Sequence, residues 1–473
     1  MHYIDPKGHT RRAFLRRSGA LAMAGSAMPF ALSLSAMSEA AAQTATDYKA
    51  LVCVFLFGGS DYANTVIAYD DDSHGKYSTI RVPQASGGIA IAKDAALAAT
   101  LLNPAVPLPN GRQYALHPQM TALKGLFDAG SAAVQLNVGP LVIPLNRGLY
   151  NNGNKKLYPL PPKLFSHNDQ QSIWQSSGSE GSTIGWGGRL GDLALSGNST
   201  NSLLTCVSAS GNAVFVAGRD ALQYQISPAG AIKIRGIDPV QTNWAALRTA
   251  LNALITRNGT HVFEKEYARV TRRSIEFEDV VNSALSGVNL SSGTNTLFGT
   301  GNPLASQMKI VARLIGARSA LSLRRQVFFV SLGGFDNHNL LMQDHPRLME
   351  RLNQAMSAFH AATEELGVAN QVTTFTASDF GRTLSSNADG SDHGWGSHHF
   401  VMGGAVNGGR FYGTAPRVSI QSDDQVGQGR LLPSTSIDQF AATLARWFGC
   451  APIELPGILP NVGRFPNTDL GFV

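Results

Sequence analysis

Leu51-Val52-Cys53-Val54-Phe55-Leu56-Phe57 runs straight into Gly58-Gly59-Ser60-Asp61. An unbroken apolar run of this length, with no polar residue to mark a solvent face, reads as a strand buried on both sides. The pattern of strand and then Gly-rich or polar turn recurs at Ala132 to Val138 before Gly139-Pro140, at Val327 to Leu332 before Gly333-Gly334, and at Val372 to Ala377 before Ser378-Asp379. Helical stretches lie between, Gln119 to Ala129 and Leu348 to Leu366, the latter with Leu348, Leu352, Met356 and Phe359 at helical spacing. Strands alternating with helices predict an α/β fold, a mainly parallel sheet flanked by helices on both faces. Sites in such sheets form beyond the carboxyl ends of the strands, so the turns just quoted are where chemistry is expected.

Outward from the strands, residues 219–315 change character. Gln241 to Ile255 and Glu264 to Leu285 are helical in pattern and Leu290 to Gly301 reads as a polar loop, so this span is expected to be a helical insertion or cap. A last helix, Ser436 to Phe448, stops at Gly449 before a Pro-rich tail. At the other end, Arg11-Arg12-Ala13-Phe14-Leu15, a mildly apolar run from Gly19 to Met37 and Ala40-Ala41-Ala42 have the order of a twin-arginine signal peptide over residues 1–42. The bland alternative is a basic helix start leading into a buried helix. The signal reading makes residues 43–473 one mature α/β unit, placed in the periplasm or secreted.

Residues 1–42 carry five Lys or Arg against two acids, so the formal net charge of +6 becomes +3 once they are removed. No later stretch has the length of a membrane span, so no stable membrane anchor is expected after cleavage, and no Lys/Arg block predicts a nucleic-acid groove. Cys53, Cys206 and Cys450 lie far apart without metal-ligand spacing and read as core residues; an oxidising compartment would allow at most one disulfide among them.

Each strand end carries a polar group. Asp61 follows the first strand with Asn64 three residues on, and on its own a helix cap or a Gly-turn role explains it better than a ligand role does. Ser166 in Phe165-Ser166-His167-Asn168-Asp169 opens a helix, either as a cap or as a nucleophile favoured by the helix dipole and exposed backbone N–H groups. Gly333-Gly334-Phe335-Asp336-Asn337-His338 places a carboxylate and an imidazole two residues apart, and Ser378-Asp379-Phe380-Gly381-Arg382 repeats the theme with a guanidinium. Gly390-Ser391-Asp392-His393-Gly394-Trp395-Gly396-Ser397-His398-His399 reads as a short Gly-rich loop with three histidines. A lone His is usually structural, but His and carboxylates gathered at one sheet edge suit zinc or manganese.

This ordered set resembles bacterial Tat-exported proteins with a domain of unknown function in the alkaline phosphatase and sulfatase superfamily. Its carriers are Gly58-Gly59-Ser60-Asp61 with Asn64, Ala115-Leu116-His117-Pro118, Phe165-Ser166-His167, the two later Asp turns, and Asp392-His393-Gly394 with Gly403-Gly404 and Gly408-Gly409 beyond. The resemblance implies an alkaline phosphatase-like fold with one or two divalent ions. Asp61 and Asp379 would ligate one ion and Asp336, His338 and His393 the other; Ser166 would be the nucleophile and Arg382 would hold the substrate's oxygens. Two departures stand out: Phe380, not His, follows Asp379, and Asp336-x-His338 is tightly spaced, so the second site is weakened, rebuilt with His167, or lost. The activity implied is hydrolysis of a small-molecule or polymer phosphate ester. Sulfate is the lesser branch, because His-Asn-Asp-Gln after Ser166 is no sulfatase motif. The alternative is a non-catalytic envelope protein that binds a polymer or another exported protein. A Ser-His-Asp hydrolase has no G-x-S-x-G elbow to support it.

Overall fold

The computed structural model describes residues 47–473 apart from residues 232, 233, 235, 239–242 and 258–260; the predicted signal peptide, residues 1–42, lies outside the described residues. The chain forms an α/β unit around a large mixed sheet flanked by helices. In chain order its principal elements are β1 (Lys49–Leu56), α1 (Asp71–Arg81), β2 (Ala132–Gly139), α2 (His167–Ser176), α3 (Trp186–Ala194), β3 (Cys206–Ser208), β4 (Tyr224–Ser227) and β5 (Gly230–Ala231). There follow α4 (Ala245–Ile255), α5 (Val262–Ser286), α6 (Pro303–Gly316), β6 (Arg325–Leu332), α7 (Leu341–Glu365) and β7 (Val372–Ser378). The chain ends with β8 (Arg382–Ser386), β9 (Ser391–His393), β10 (Ser397–Met402), β11 (Phe411–Tyr412), β12 (Thr435–Ser436) and α8 (Ile437–Phe448).

The sheet order is β11-β2-β10-β7-β1-β6-β3-β4-β5, with β12 also on β2. β1 lies parallel between β6 and β7, while β10 runs antiparallel to both β7 and β2. Successive side chains of a strand point to opposite faces, and both faces of β1 are covered. Val52, Val54 and Leu56 enter a core with Met308 and Val311 of α6 and Leu352, Met356 and Phe359 of α7. Leu51, Cys53 and Phe55 enter a second core with Trp186 and Leu190 of α3 and Phe440 and Leu444 of α8. That double burial is why β1 reads as continuously apolar. Cys53, Cys206 and Cys450 are all buried free thiols.

α8 begins at a capping box in which Ser436 Oγ accepts from Gln439 N and Gln439 Oε1 accepts from Ser436 N, and it stops at Gly449 in the left-handed region. Three local readings are corrected. Residues 292–298, read as loop, form a helix: Ser291 caps Thr294 N and Phe298 is buried, so one good cap and one apolar anchor outweigh the polar composition. α7 starts at Leu341, two turns ahead of the Leu348 start that the apolar spacing predicts, and runs through Pro346 with Leu341 and His345 buried. The histidine-rich stretch is no loop but β9 and β10; His398 and His399 are buried in β10 and do not join the histidines at the edge. Within residues 219–315, β4 and β5 extend the sheet, α6 covers β6, and α4 and α5 lie between.

Candidate functional site at the sheet edge

Leu56 of β1 sits level with Leu332 of β6 and Ser378 of β7, so the turns that follow leave the sheet side by side. Two glycines make the crowding tolerable. Gly58 (φ +116°) would put a Cβ 2.4 Å from Asp336 N, and Gly59 (φ +87°) would put one 2.5 Å from the Phe380 ring. Both positions therefore need glycine twice over, for backbone sign and for space. To these three turns the β8–β9 hairpin adds a fourth contribution, pairing Arg382 with His393 and bringing His393 over the same edge. The fifth is the first residue of α2, His167.

These segments converge on Asp336. His338 Nε2 lies 3.1 Å from its Oδ1 and His393 Nε2 3.4 Å from the same oxygen, while His167 Nε2 lies 3.4 Å from Oδ2. His338 Nε2 and His393 Nε2 are 2.8 Å apart, and His167, Asp336 and His393 present ligand atoms all within 4.8 Å of one another. A tetrahedral ion with ~2.0 Å metal–nitrogen bonds has ligand–ligand edges of ~3.3 Å, so the 3.4 Å contacts of His167 and His393 with Asp336 are of the size one zinc-like ion needs, with His338 at the margin of that trio.

The far side of each ring is equally ordered. His167 Nδ1 meets Asp379 Oδ2 at 2.6 Å, His338 Nδ1 meets Asp392 Oδ1 at 3.2 Å, and His393 Nδ1 meets the Phe165 carbonyl oxygen at 2.7 Å. An oxygen stands behind each Nδ1 and can accept its proton, the tautomer that leaves Nε2 free on the Asp336 side; the 2.8 Å approach of His338 Nε2 to His393 Nε2 calls for a proton or a cation between them. Carboxylate or carbonyl behind imidazole is the usual second support of a metal-bound histidine. Phe165 reaches His393 from a φ of +72°, a conformation that a bulky residue adopts only when its surroundings impose it. His167 Nε2 and Asp379 Oδ1 are buried without a hydrogen-bond partner; the 3.4 Å approach of His167 Nε2 to Asp336 is close contact without hydrogen-bond geometry. An orphaned imidazole nitrogen beside a carboxylate and a second imidazole is a donor set that could hold a divalent cation.

The electrostatics pull His167 and His393 in opposite directions. The Asp379 hydrogen bond raises the His167 pKa against the effect of burial, and burial lowers that of His393 despite the Phe165 carbonyl. Burial pushes Asp336 upward, but the hydrogen bond and charge of Arg382, with His167 and His338, outweigh it and hold the carboxyl below its ordinary range.

The residues singled out in the sequence thus divide. Asp336, His338 and His393 come together. Asp379 stands behind His167, its Oδ2 also accepting from Gln171 Nε2 at 2.8 Å. Arg382 is fully buried: Nη1 donates to Asp336 Oδ1 and to the Gly58 carbonyl, each at 2.9 Å, and Nε donates to Ser391 Oγ at 3.1 Å, so its guanidinium positions Asp336 from below. Asp61 falls outside the group. Its Oδ2 accepts from Arg81 Nη2 at 2.8 Å and from Ser391 Oγ at 2.9 Å, and its Oδ1 caps Asn64 N at 3.0 Å. Ser166 caps α2 without the usual side-chain bond; its Oγ donates instead to Asp169 Oδ2 at 2.9 Å. His167 and Asp392 lay inside motifs already singled out, whereas Arg81, on a helix unrelated to any of them, carried no signal in the sequence.

No curated protein matches the chain. Among solved structures, the crystal structure of Ps i-CgsB in complex with k-i-k-neocarrahexaose is similar at 9% identity and a TM-score of 0.35, over 88% of this chain and 77% of that one, a likeness too slight to carry an argument. Residues 48–452 match the family described as Protein of unknown function (DUF1501), and with that much of its length matched the chain belongs to that family.

Proposed function

We propose that this protein is an exported metal-dependent hydrolase of phosphate esters, with sulfate esters the lesser branch. In this reading it has an alkaline phosphatase-like fold and reaches the periplasm or the exterior by the twin-arginine route. The observation that carries the reading is the set of three imidazoles, each with Nδ1 engaged and Nε2 aimed at one carboxylate. His167, Asp336, His338 and His393 would hold a single zinc or manganese ion, which would supply positive charge to polarise the ester and stabilise the departing oxygen. Ser166 is the attacking group in this scheme. It directly precedes His167 at the N-terminus of α2, and its hydroxyl proton already points to Asp169 Oδ2. Asp169, itself buried, is the proton acceptor. Arg382 keeps the Asp336 carboxylate charged and in place rather than touching substrate.

A second reading, a non-catalytic envelope protein that retains one ion and binds a polymer or an exported partner, rests on a specific observation. Arg382 is enclosed, Asp61 is spent on Arg81, and Asp379 is spent on His167 and Gln171, which leaves no second ligand set among the described residues. Elemental analysis of protein purified without chelator separates the outcomes. About one equivalent of metal, lost in Asp336→Ala/His393→Ala, together with aryl phosphate hydrolysis lost in Ser166→Ala, supports the hydrolase. Metal without turnover of aryl phosphate or sulfate supports the binding protein, and absence of metal uptake sinks both.

A further inference from the structure

α4 is an eleven-residue helix, AALRTALNALI, none of whose residues is buried. Helices this short are marginal in water unless a face is packed, and most of this one is apolar. Its surroundings continue the theme. Trp244 just before it, Leu247 and Leu254 within it, and Val262, Phe263 and Tyr267 at the start of α5 are all exposed, Phe263 at 78% and Trp244 at 75%. Large aromatic and aliphatic side chains gathered on two consecutive helices are far from the scattered exposed residues that need no explanation.

The far end of α5 behaves oppositely. Val281 and Leu285 are buried in the core, and the Leu285 carbonyl accepts from Arg313 Nη2 of α6. α5 is thus rooted in the body at one end, while at the other Val262, Phe263 and Tyr267 are exposed and only the small Ala268 is covered. Charge divides along the same axis: residues 243–273 hold six Lys or Arg against two Glu, whereas Glu276, Glu278 and Asp279 follow about 18 Å further along the helix from Glu264. Among the described residues no helix is long and apolar enough to cross a membrane.

We propose that α4 and the first turns of α5 form a docking surface for an anionic lipid bilayer, lying in the headgroup layer rather than spanning it. Aromatic and aliphatic side chains enter the acyl boundary, and the adjoining Arg257 and Lys265 meet lipid phosphates. A basic, aromatic end set against an acidic root is the complement of a negatively charged surface, and the root orients the protein body away from it. The inference is independent of the hydrolase reading, since none of these residues belongs to the His167–Asp336 centre.

The test is flotation of the full chain with phosphatidylglycerol vesicles and, separately, phosphatidylcholine vesicles. Binding to phosphatidylglycerol at least about tenfold stronger than to phosphatidylcholine is expected, with a blue shift in tryptophan emission. Trp244→Ser/Leu254→Ser/Phe263→Ser should lose at least about tenfold of that binding with thermal unfolding unchanged. Arg257→Glu/Lys265→Glu, which touches no apolar residue, should lose the preference for the anionic lipid. No binding to phosphatidylglycerol, equal binding to both lipids, or undiminished binding by either variant overturns the proposal. So does self-association through this face without lipid binding.

Discussion

Gly58-Gly59-Ser60-Asp61 and Gly333-Gly334-Phe335-Asp336 are the same device, strand then Gly-Gly-x-Asp, used on neighbouring parallel strands whose last residues are in register. Their carboxylates end in opposite states. Asp61 is closed in against Arg81, with both side chains at most 1% exposed, whereas Asp336 is 46% exposed and faces three imidazoles. The two are nonetheless linked: Ser391 Oγ donates to Asp61 and accepts from Arg382, whose other end donates to Asp336. A turn motif therefore delivers a carboxylate to the edge but does not decide its task. Each carboxylate has a buried guanidinium on one oxygen, Arg81 for Asp61 and Arg382 for Asp336; the difference lies in what else arrives, a serine hydroxyl and a helix cap for Asp61 and three imidazoles for Asp336.

The sharpest way to break this contrast is to remove each carboxylate in turn. Asp336→Ala should abolish metal uptake outright, read by elemental analysis, because it deletes the ligand at the centre of the cluster. Arg81→Met should leave metal content unchanged and cost about 3–5 kcal/mol in urea unfolding, since it strands the buried Asp61 charge. Arg81→Met/Asp61→Leu should recover much of that loss, because the pair also carries a desolvation cost. If Arg81→Met strips the metal and spares stability, the division between a structural and a functional carboxylate is wrong.

A third carboxylate extends the comparison. Asp438, in the first turn of α8, is nearly as enclosed as Asp61, but its carboxylate is met by the backbone N–H groups of Asn461 and of Asp438 itself, and among the described residues it forms no ion pair. Burial raises its pKa to about 6 despite those bonds and the distant Arg464 and Arg189, while at Asp61 burial is outweighed by Arg81 and the shift is downward. The sign follows from linkage. Below pH ~4 both folded and unfolded states hold the proton; between pH ~4 and ~6 only the folded state does, so stability falls as pH rises through that window and levels off above it. Asp438→Asn should match the parent near pH 3.5 and exceed it at pH 7 by about 3 kcal/mol, measured as chemical unfolding across pH. A flat difference across pH would show that Asp438 carries no such penalty.

What could be read ahead of the structure follows the range of the interactions. β1, β6 and β7 advertise themselves because both of their faces are buried, and α8 because its caps are local in sequence. The edge residues were legible to the extent that they share a turn: Asp336 with His338, and Asp392 with His393. What stayed hidden depends on long-range pairing. Arg81 approaches Asp61 from an independent helix, and Phe165 offers His393 a carbonyl through a backbone conformation that no residue type announces. His398 and His399 misled for a related reason. They continue a histidine-rich run by composition, but β10 carries them into the interior, where burial lowers both to about 3 and leaves them neutral.

The smallest predicted effect tests the layer behind the ligands. Asp379 touches the proposed ion only through His167, and Gln171 shares the same oxygen. Asp379→Asn keeps an acceptor for the Nδ1 proton, so the ring keeps its tautomer, but it removes the negative charge that makes the imidazole a stronger donor. Asp379→Ala removes both. Competition with a chelator of known affinity should therefore show a graded loss, about tenfold for the Asn variant and about a hundredfold for the Ala variant, with stoichiometry preserved in both. Loss of the ion outright in Asp379→Asn would instead make Asp379 a direct ligand through its unpartnered Oδ1, and the edge would then hold two carboxylates acting alike rather than one ligand and one support.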